Sequence, residues 1–334
     1  MRTGPVLVIL VGLLAVASLL SLSVGPGGFG AGDQVTDLRL LRTGCAALAG
    51  AALAVAGVLI QGLFRNPLAS PDVVGTTAGA TLGGQLALIA HAVCVGILPA
   101  CLAPELVLPV GCLLGASIAL SLLLAVTQRG GGLVIVLLTG FVITAIVGAI
   151  SGLLTSVSAG HWELARALSA FGLGGVDGKG VGHLLLAAPL VLIGTCAAWF
   201  WGRSCDVLLA GEDEAASLGL DLRTTRRWLL AWTALLAAAA VAVGGALSFI
   251  GLIVPHALRP WTGVEHRKLV PAAAIGGAAF LILCDVLSRC APLLTNAIGI
   301  QGSGELPLGV ITGLIGGPVF LVLLIKARRA GTLT

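Results

Sequence analysis

Runs of about 20 consecutive apolar residues recur along this chain, and that recurrence limits its fold more than any motif does. A ~30 Å hydrocarbon layer takes about 20 helical residues to cross, and in lipid every backbone N–H and C=O must find its partner inside the helix. The composition agrees: of 334 residues 58% are hydrophobic and 10% charged, and the mean hydropathy of +1.11 lies outside the soluble globular range. The expected fold class is all-α: a polytopic membrane protein with about ten transmembrane helices, forming one domain over residues 1–334 with no separate soluble part.

The candidate spans are Pro5–Val24, Leu40–Phe64, Val73–His91, Glu105–Val126, Leu133–Val157, Val181–Trp201, Trp228–Gly245, Ala246–Leu258, Leu269–Arg289 and Leu306–Lys326. The Ala246–Leu258 run is short and reads as tilted or partly re-entrant. Arg2 and the triplet Ala15-Val16-Ala17 imitate a secretory leader, but the apolar run continues to Val24, which favours an uncut first helix.

Basic residues mark cytoplasmic loops. With the amino terminus inside, that side receives Arg2, Arg65, Arg129, Arg203, Arg223, Arg226, Arg227, Arg259, Arg267, Lys268, Lys326, Arg328 and Arg329, which is 13 of 18. Only Arg39, Arg42, Arg166, Lys179 and Arg289 fall outside. Both termini are therefore expected in the cytoplasm, together with the polar turn QGLFRNPLASPDVVG that begins at Gln61. The net charge of +4 is a property of helix ends, so no nucleic-acid partner is expected.

Several kinds of chemistry are missing. The chain has no HExxH, no GxSxG and no phosphate-binding GxxxxGK[ST] loop. The nearest imitation of the last, Gly174 to Gly180, lacks the first glycine and the hydroxyl residue. Eight cysteines show no metal-ligand spacing and read as small packing residues, although Cys94, Cys101 and Cys290 lie on the outer side where oxidation is open to them. Helix interiors hold Gln61 and Gln85 but few ionisable groups, with Asp285 and Glu305 near outer ends; this argues against an ion-coupled secondary transporter, the alternative from another class.

Glycines recur every four residues at Gly75, Gly79 and Gly83, at Gly111 and Gly115, and at Gly309, Gly313 and Gly317. Such stripes let helices approach closely, within one subunit or between subunits. The longest cytoplasmic loop, residues 202–227, carries LLAGEDEAASLGLDLRTTRR. Glu212, Asp213 and Glu214 suit a helix's first turn, Ala215 and Ala216 its body, and Gly219 a left-handed terminator. The loop reads equally as a solvated acidic turn or as a docking element for a cytoplasmic partner.

Four ordered blocks resemble the permease subunit of ATP-binding-cassette importers for iron-siderophores, haem and cobalamin. They are LRLLRTGCAALAGAALAVAGVLIQGLFRNPLASPDVVGTTAGA, LLAGEDEAASLGLDL, GALSFIGLIVPHALRPWTGVEHRKLVPAAAIGGAAFLILCDVLSR and ELPLGVITGLIGGPVFLVLL. The resemblance covers essentially the whole chain. It implies a type II importer permease fold with ten helices, a second permease subunit, a cytoplasmic ATPase, and an extracytoplasmic substrate-binding protein. It also implies location in the cytoplasmic membrane of a prokaryote and no enzymatic step here, with ATP and Mg held by the ATPase.

Carried onto this sequence, the resemblance places ATPase coupling on Gly211, Glu212, Ala215, Ser217, Leu218 and Gly219. Binding-protein docking falls on Arg39, Arg42 and Arg289, as rim charges that steer association; each basic group also suits a helix-end anchor. A leucine stands between Arg39 and Arg42 where the family commonly has proline. Arg65, Asn66 and Pro67 form a cytoplasmic corner motif, and Pro255, His256 and Arg259 a gate or inner helix end. The implied function is ATP-driven import by alternating access, of a ferric siderophore by family prevalence, with haem or cobalamin as alternatives.

Overall fold

The computed structural model describes residues 3–25, 28–29, 33–93, 104–127, 133–297 and 305–329. Arg2, Cys94, Cys101 and Arg129 lie outside them, and of Arg328 and Arg329 only the backbone is described. The described residues are nearly all helical, as expected where backbone polar groups have no water to meet. In order they form α1 (Thr3–Ser23), α2 (Asp33–Leu63), α3 (Thr76–Val93), α4 (Pro104–Thr127), α5 (Leu133–Val157), α6 (Trp162–Leu173), α7 (Val181–Leu208), α8 (Glu212–Ser217), α9 (Leu222–Gly244), α10 (Ile250–Thr262), α11 (His266–Ala297) and α12 (Leu308–Arg329). A two-residue antiparallel ladder pairs Val24–Gly25 with Gly28–Phe29.

Each expected span is a helix, yet among the described residues eight helices are long and apolar enough to cross a membrane. The two that fall short are α3, diluted by threonine, glycine and Gln85, and α10, which has 13 residues. The shortness of α10 was visible in its apolar run. Helix α6 was not expected: its 12 residues are too few for a span, and Glu163 and Arg166 break its apolar run. The supposed loop 202–227 is also shorter, because α7 continues to Leu208 and α9 begins at Leu222.

Small side chains decide the centre. Helices α2, α9 and α11, rich in alanine and glycine, have 78, 72 and 67% of their most apolar windows buried, against 17% for α1 and α5 and 22% for α7 and α12. The bulky residues of the outer helices face outward instead, as Leu138 and Phe141 do on α5. Two of the glycine stripes prove to be contacts within the chain. A Cβ on Gly83 would stand 2.1 Å from Gly111 O, and one on Gly115 2.1 Å from Gly79 O, so α3 and α4 touch backbone to backbone. In the third stripe Gly309 abuts Leu173 O, whereas Gly313 and Gly317 face open space.

Candidate functional site

At one end of the bundle, two helix terminations and a short helix meet. Helix α2 ends with Arg65 N–H donating to Gly62 O (3.3 Å) and Asn66 N–H donating to Gln61 O (3.1 Å), a Schellman arrangement that satisfies its last carbonyls. Arg65 occupies the left-handed position, φ 51°, that glycine usually takes. Asn66 Oδ1 then accepts from Leu68 N–H at 2.9 Å, and Pro67, lacking an N–H, prevents the helix from resuming. The corner motif is therefore a built turn.

Helix α8 repeats the device. Gly219 at φ 85° donates its N–H to Ala216 O (2.9 Å), and Leu220 N–H reaches Ala215 O (3.0 Å). At the other end Gly211 adopts φ 126°, and a Cβ there would lie 2.0 Å from Glu214 Oε2. Ser217 Oγ donates to Asp213 O at 2.9 Å. Ala215 is fully buried, while Leu218 is 73% exposed. The short helix is thus anchored on one side and presents an apolar tip on the other.

Glu212 ties the pieces together, with Oε2 2.6 Å from Arg226 Nη2 and Oε1 4.0 Å from Arg65 Nη2. Asp221 caps α9, accepting from the N–H groups of Arg223 (3.0 Å) and Thr224 (3.1 Å) and from Thr224 Oγ1 (2.6 Å). The Thr224 hydroxyl foremost holds this carboxyl below its usual range. The C-terminal end of α10 joins the same corner. Arg259 Nη2 donates to Gln61 Oε1 at 2.8 Å, and Gln61 Nε2 donates to Gly251 O at 3.3 Å. Pro255 is buried, and His256 Nδ1 has no hydrogen-bond partner among the described residues.

Sequence reasoning named Gln61 as a buried polar residue but did not pair it with Arg259. It missed the His266–Asp206 pair altogether. His266 is fully buried, 2.7 Å from Asp206 through Nδ1 and 2.9 Å through its backbone N–H. No local spacing marks two residues so far apart in sequence.

At the opposite end the three arginines expected to dock a binding protein are engaged inward. Arg39 and Arg289 are only 8 and 3% exposed, which corrects their reading as rim charges. Arg39 Nη1 donates to Leu22 O at 2.9 Å. Arg289 donates to Ser21 O (2.8 Å), Val24 O (2.7 Å) and Ser21 Oγ (2.6 Å), and pairs with Asp285 at 3.1 Å. Arg42 meets Asp285 at 2.8 Å and Glu305 at 2.7 Å, and also pairs with Asp177. Asp177, Asp285 and Glu305 thus meet on Arg42, and Asp285 is shared with Arg289.

Comparison with known proteins places this architecture. The profile of the FecCD transport family matches residues 6–326. The chain belongs to the FecCD transport family. It is 37% identical over 301 residues to the hemin transport system permease HmuU of Yersinia pestis, covering 88% of this chain and 83% of that one. The cobalamin import permease BtuC of Halobacterium salinarum is 36% identical over 293 residues, covering 87 and 73%. The Fe(3+) dicitrate permease FecD of Escherichia coli is 36% identical over 294 residues, covering 87 and 85%. A solved inward-facing transporter of the metal-chelate ABC type superposes with a TM-score of 0.81 at 27% identity, covering 97% of this chain and all of that one. The protein is thus a membrane-embedded permease subunit of an ABC importer.

Proposed function

We propose that this family member carries a ferric siderophore inward across the cytoplasmic membrane, driven by ATP hydrolysed on a separate cytoplasmic ATPase that holds ATP and Mg. The observation that carries the reading is α8. It is a six-residue helix hung between two long ones, rooted by Ala215, braced by Glu212 against Arg65 and Arg226, and tipped by the exposed Leu218. An ATPase that receives this tip displaces α7 and α9 together, and through Arg65 and Gln61 it reaches the inner ends of α2 and α10.

Alternating access then follows from two such permease subunits, of this chain or with a sister chain, moving between states with both sets of termini in the cytoplasm. On the outer face, an extracytoplasmic binding protein docks at the cluster around Arg42. Its acids compete there with Asp177, whose side chain is 62% exposed, so docking rearranges an existing ion pair. Arg39 and Arg289 hold the helix ends that frame it.

The test is reconstitution with the cognate ATPase and binding protein, followed by uptake of a ferric siderophore with and without ATP. ATP-dependent uptake that an ion gradient cannot replace is the expected result. Uptake by this chain alone on an ion gradient defeats the reading. The hemin and cobalamin permeases among the relatives favour a second substrate assignment; loss of siderophore uptake under hemin or cobalamin competition, with uptake of the competitor, decides for it.

A further inference from the structure

A second feature lies at the end of α7 that leads to α8, away from the coupling and docking residues. Helix α7 has 28 residues, about 42 Å at 1.5 Å each against a ~30 Å hydrocarbon layer, so its last turns project to headgroup level. Leu192, Cys196, Trp199 and Arg203 fall on one face of it by helical periodicity, and all four are exposed. The face runs from an apolar track within the membrane to a charge at its surface.

Arg267 of α11 completes the surface end. Its guanidinium carbon stands 4.2 Å from the centroid of the Trp199 ring, a cation–π geometry. Gly202 makes the approach possible, since a Cβ there would already stand 3.1 Å from Arg267 N and 3.2 Å from its Cγ. Acids nearby in sequence are committed elsewhere, Asp206 to His266 at 2.7 Å and Glu265 to Lys268 at 2.5 Å. Arg203 has no hydrogen bond or ion pair among the described residues, and the terminal nitrogens of Arg267 have none and are not sealed from the surroundings. Two positive charges and an indole thus flank a lipid-facing track, with no counter-ion among the described residues.

We propose that Arg203, Arg267 and Trp199 bind the headgroup phosphate of an anionic phospholipid, one of whose acyl chains lies along Cys196 and Leu192. The charges complement the phosphodiester, and the indole sits where aromatic belts meet headgroups. A soluble phosphate shares the charge but gains nothing from the apolar track.

The experiment places the full-length protein in phosphatidylcholine nanodiscs containing a minor fraction of phosphatidylglycerol, with bromine on the acyl chains of one lipid or the other, and follows tryptophan fluorescence. Brominated phosphatidylglycerol should quench more than brominated phosphatidylcholine at equal mole fraction. That excess should shrink in Trp199→Phe, which removes the nearest of the six tryptophans and keeps both charges, and should vanish in Arg203→Gln/Arg267→Gln. Each arginine should account for a roughly fivefold preference for the anionic lipid, about 30-fold for the pair. The single Arg203→Gln change, at an exposed residue without a protein partner, must show its fivefold loss even if the double variant folds poorly. Equal quenching by both lipids, an excess that survives loss of both arginines, or an excess abolished by inorganic phosphate at millimolar concentration overturns the proposal.

Discussion

At Gly57 of α2 the backbone of α10 comes so near that a methyl group has no place. A Cβ there would stand 1.8 Å from Gly251 O and 2.6 Å from Gly251 Cα. Ordinary contact begins near 3.4 Å, so Gly57→Ala must separate the two helices locally by about 1.6 Å, the difference between those distances. Backbone atoms cannot swing aside as a side chain can. The same movement carries Gln61 Nε2 out of reach of Gly251 O, now at 3.3 Å, and disturbs the 2.8 Å bond from Arg259 to Gln61. Overpacking costs about 1–3 kcal/mol and a buried group left unpaired a similar amount, so the substitution should destabilise by about 3 kcal/mol or more. The assay is the apparent melting temperature of the purified protein in detergent, where a fall of roughly 5 °C or more is expected. Gly148→Ala is the control, because a Cβ there meets nothing within 4 Å and alanine favours the helix. An unchanged melting temperature for Gly57→Ala, or an equal fall for Gly148→Ala, refutes the reasoning.

Gly219→Ala puts a side chain at φ 85° and should cost about 1–2 kcal/mol locally; the ratio of substrate imported to ATP hydrolysed should fall in proteoliposomes, and an unchanged ratio contradicts the role given to α8. Leu218→Asp alters a residue 73% exposed, so stability should stay within about 0.5 kcal/mol while ATP-driven uptake is lost; retained uptake removes the apolar tip from the mechanism. Asp285→Asn leaves Arg42 and Arg289 without their shared carboxylate, which is 1% exposed, and should destabilise by about 3–5 kcal/mol; yield and melting temperature equal to those of the parent protein count against the ion cluster.

The short helix α8 was legible residue by residue, since acids in a first turn, alanines in the body and a left-handed glycine act over one or two turns of chain. Arg65 was legible only as a basic residue in a cytoplasmic turn. That it faces Glu212 depends on where α8 sits against the end of α2. Arg39, Arg42 and Arg289 show the limit most sharply: charge counting placed them on one side of the membrane, but it carried no information about Asp177, Asp285 and Glu305 converging on Arg42 and Asp285 on Arg289.

By itself, then, the sequence determined the all-α membrane class, the position of each long helix and the local grammar of α8, because lipid imposes its demands on every helix separately and caps are local. The tertiary structure alone decided that α2, α9 and α11 lie at the centre, that the α3 and α4 glycines face each other, and that Arg39, Arg42 and Arg289 turn inward. Those outcomes depend on pairings between helices remote in sequence, and such pairings leave no period in the chain from which they can be read.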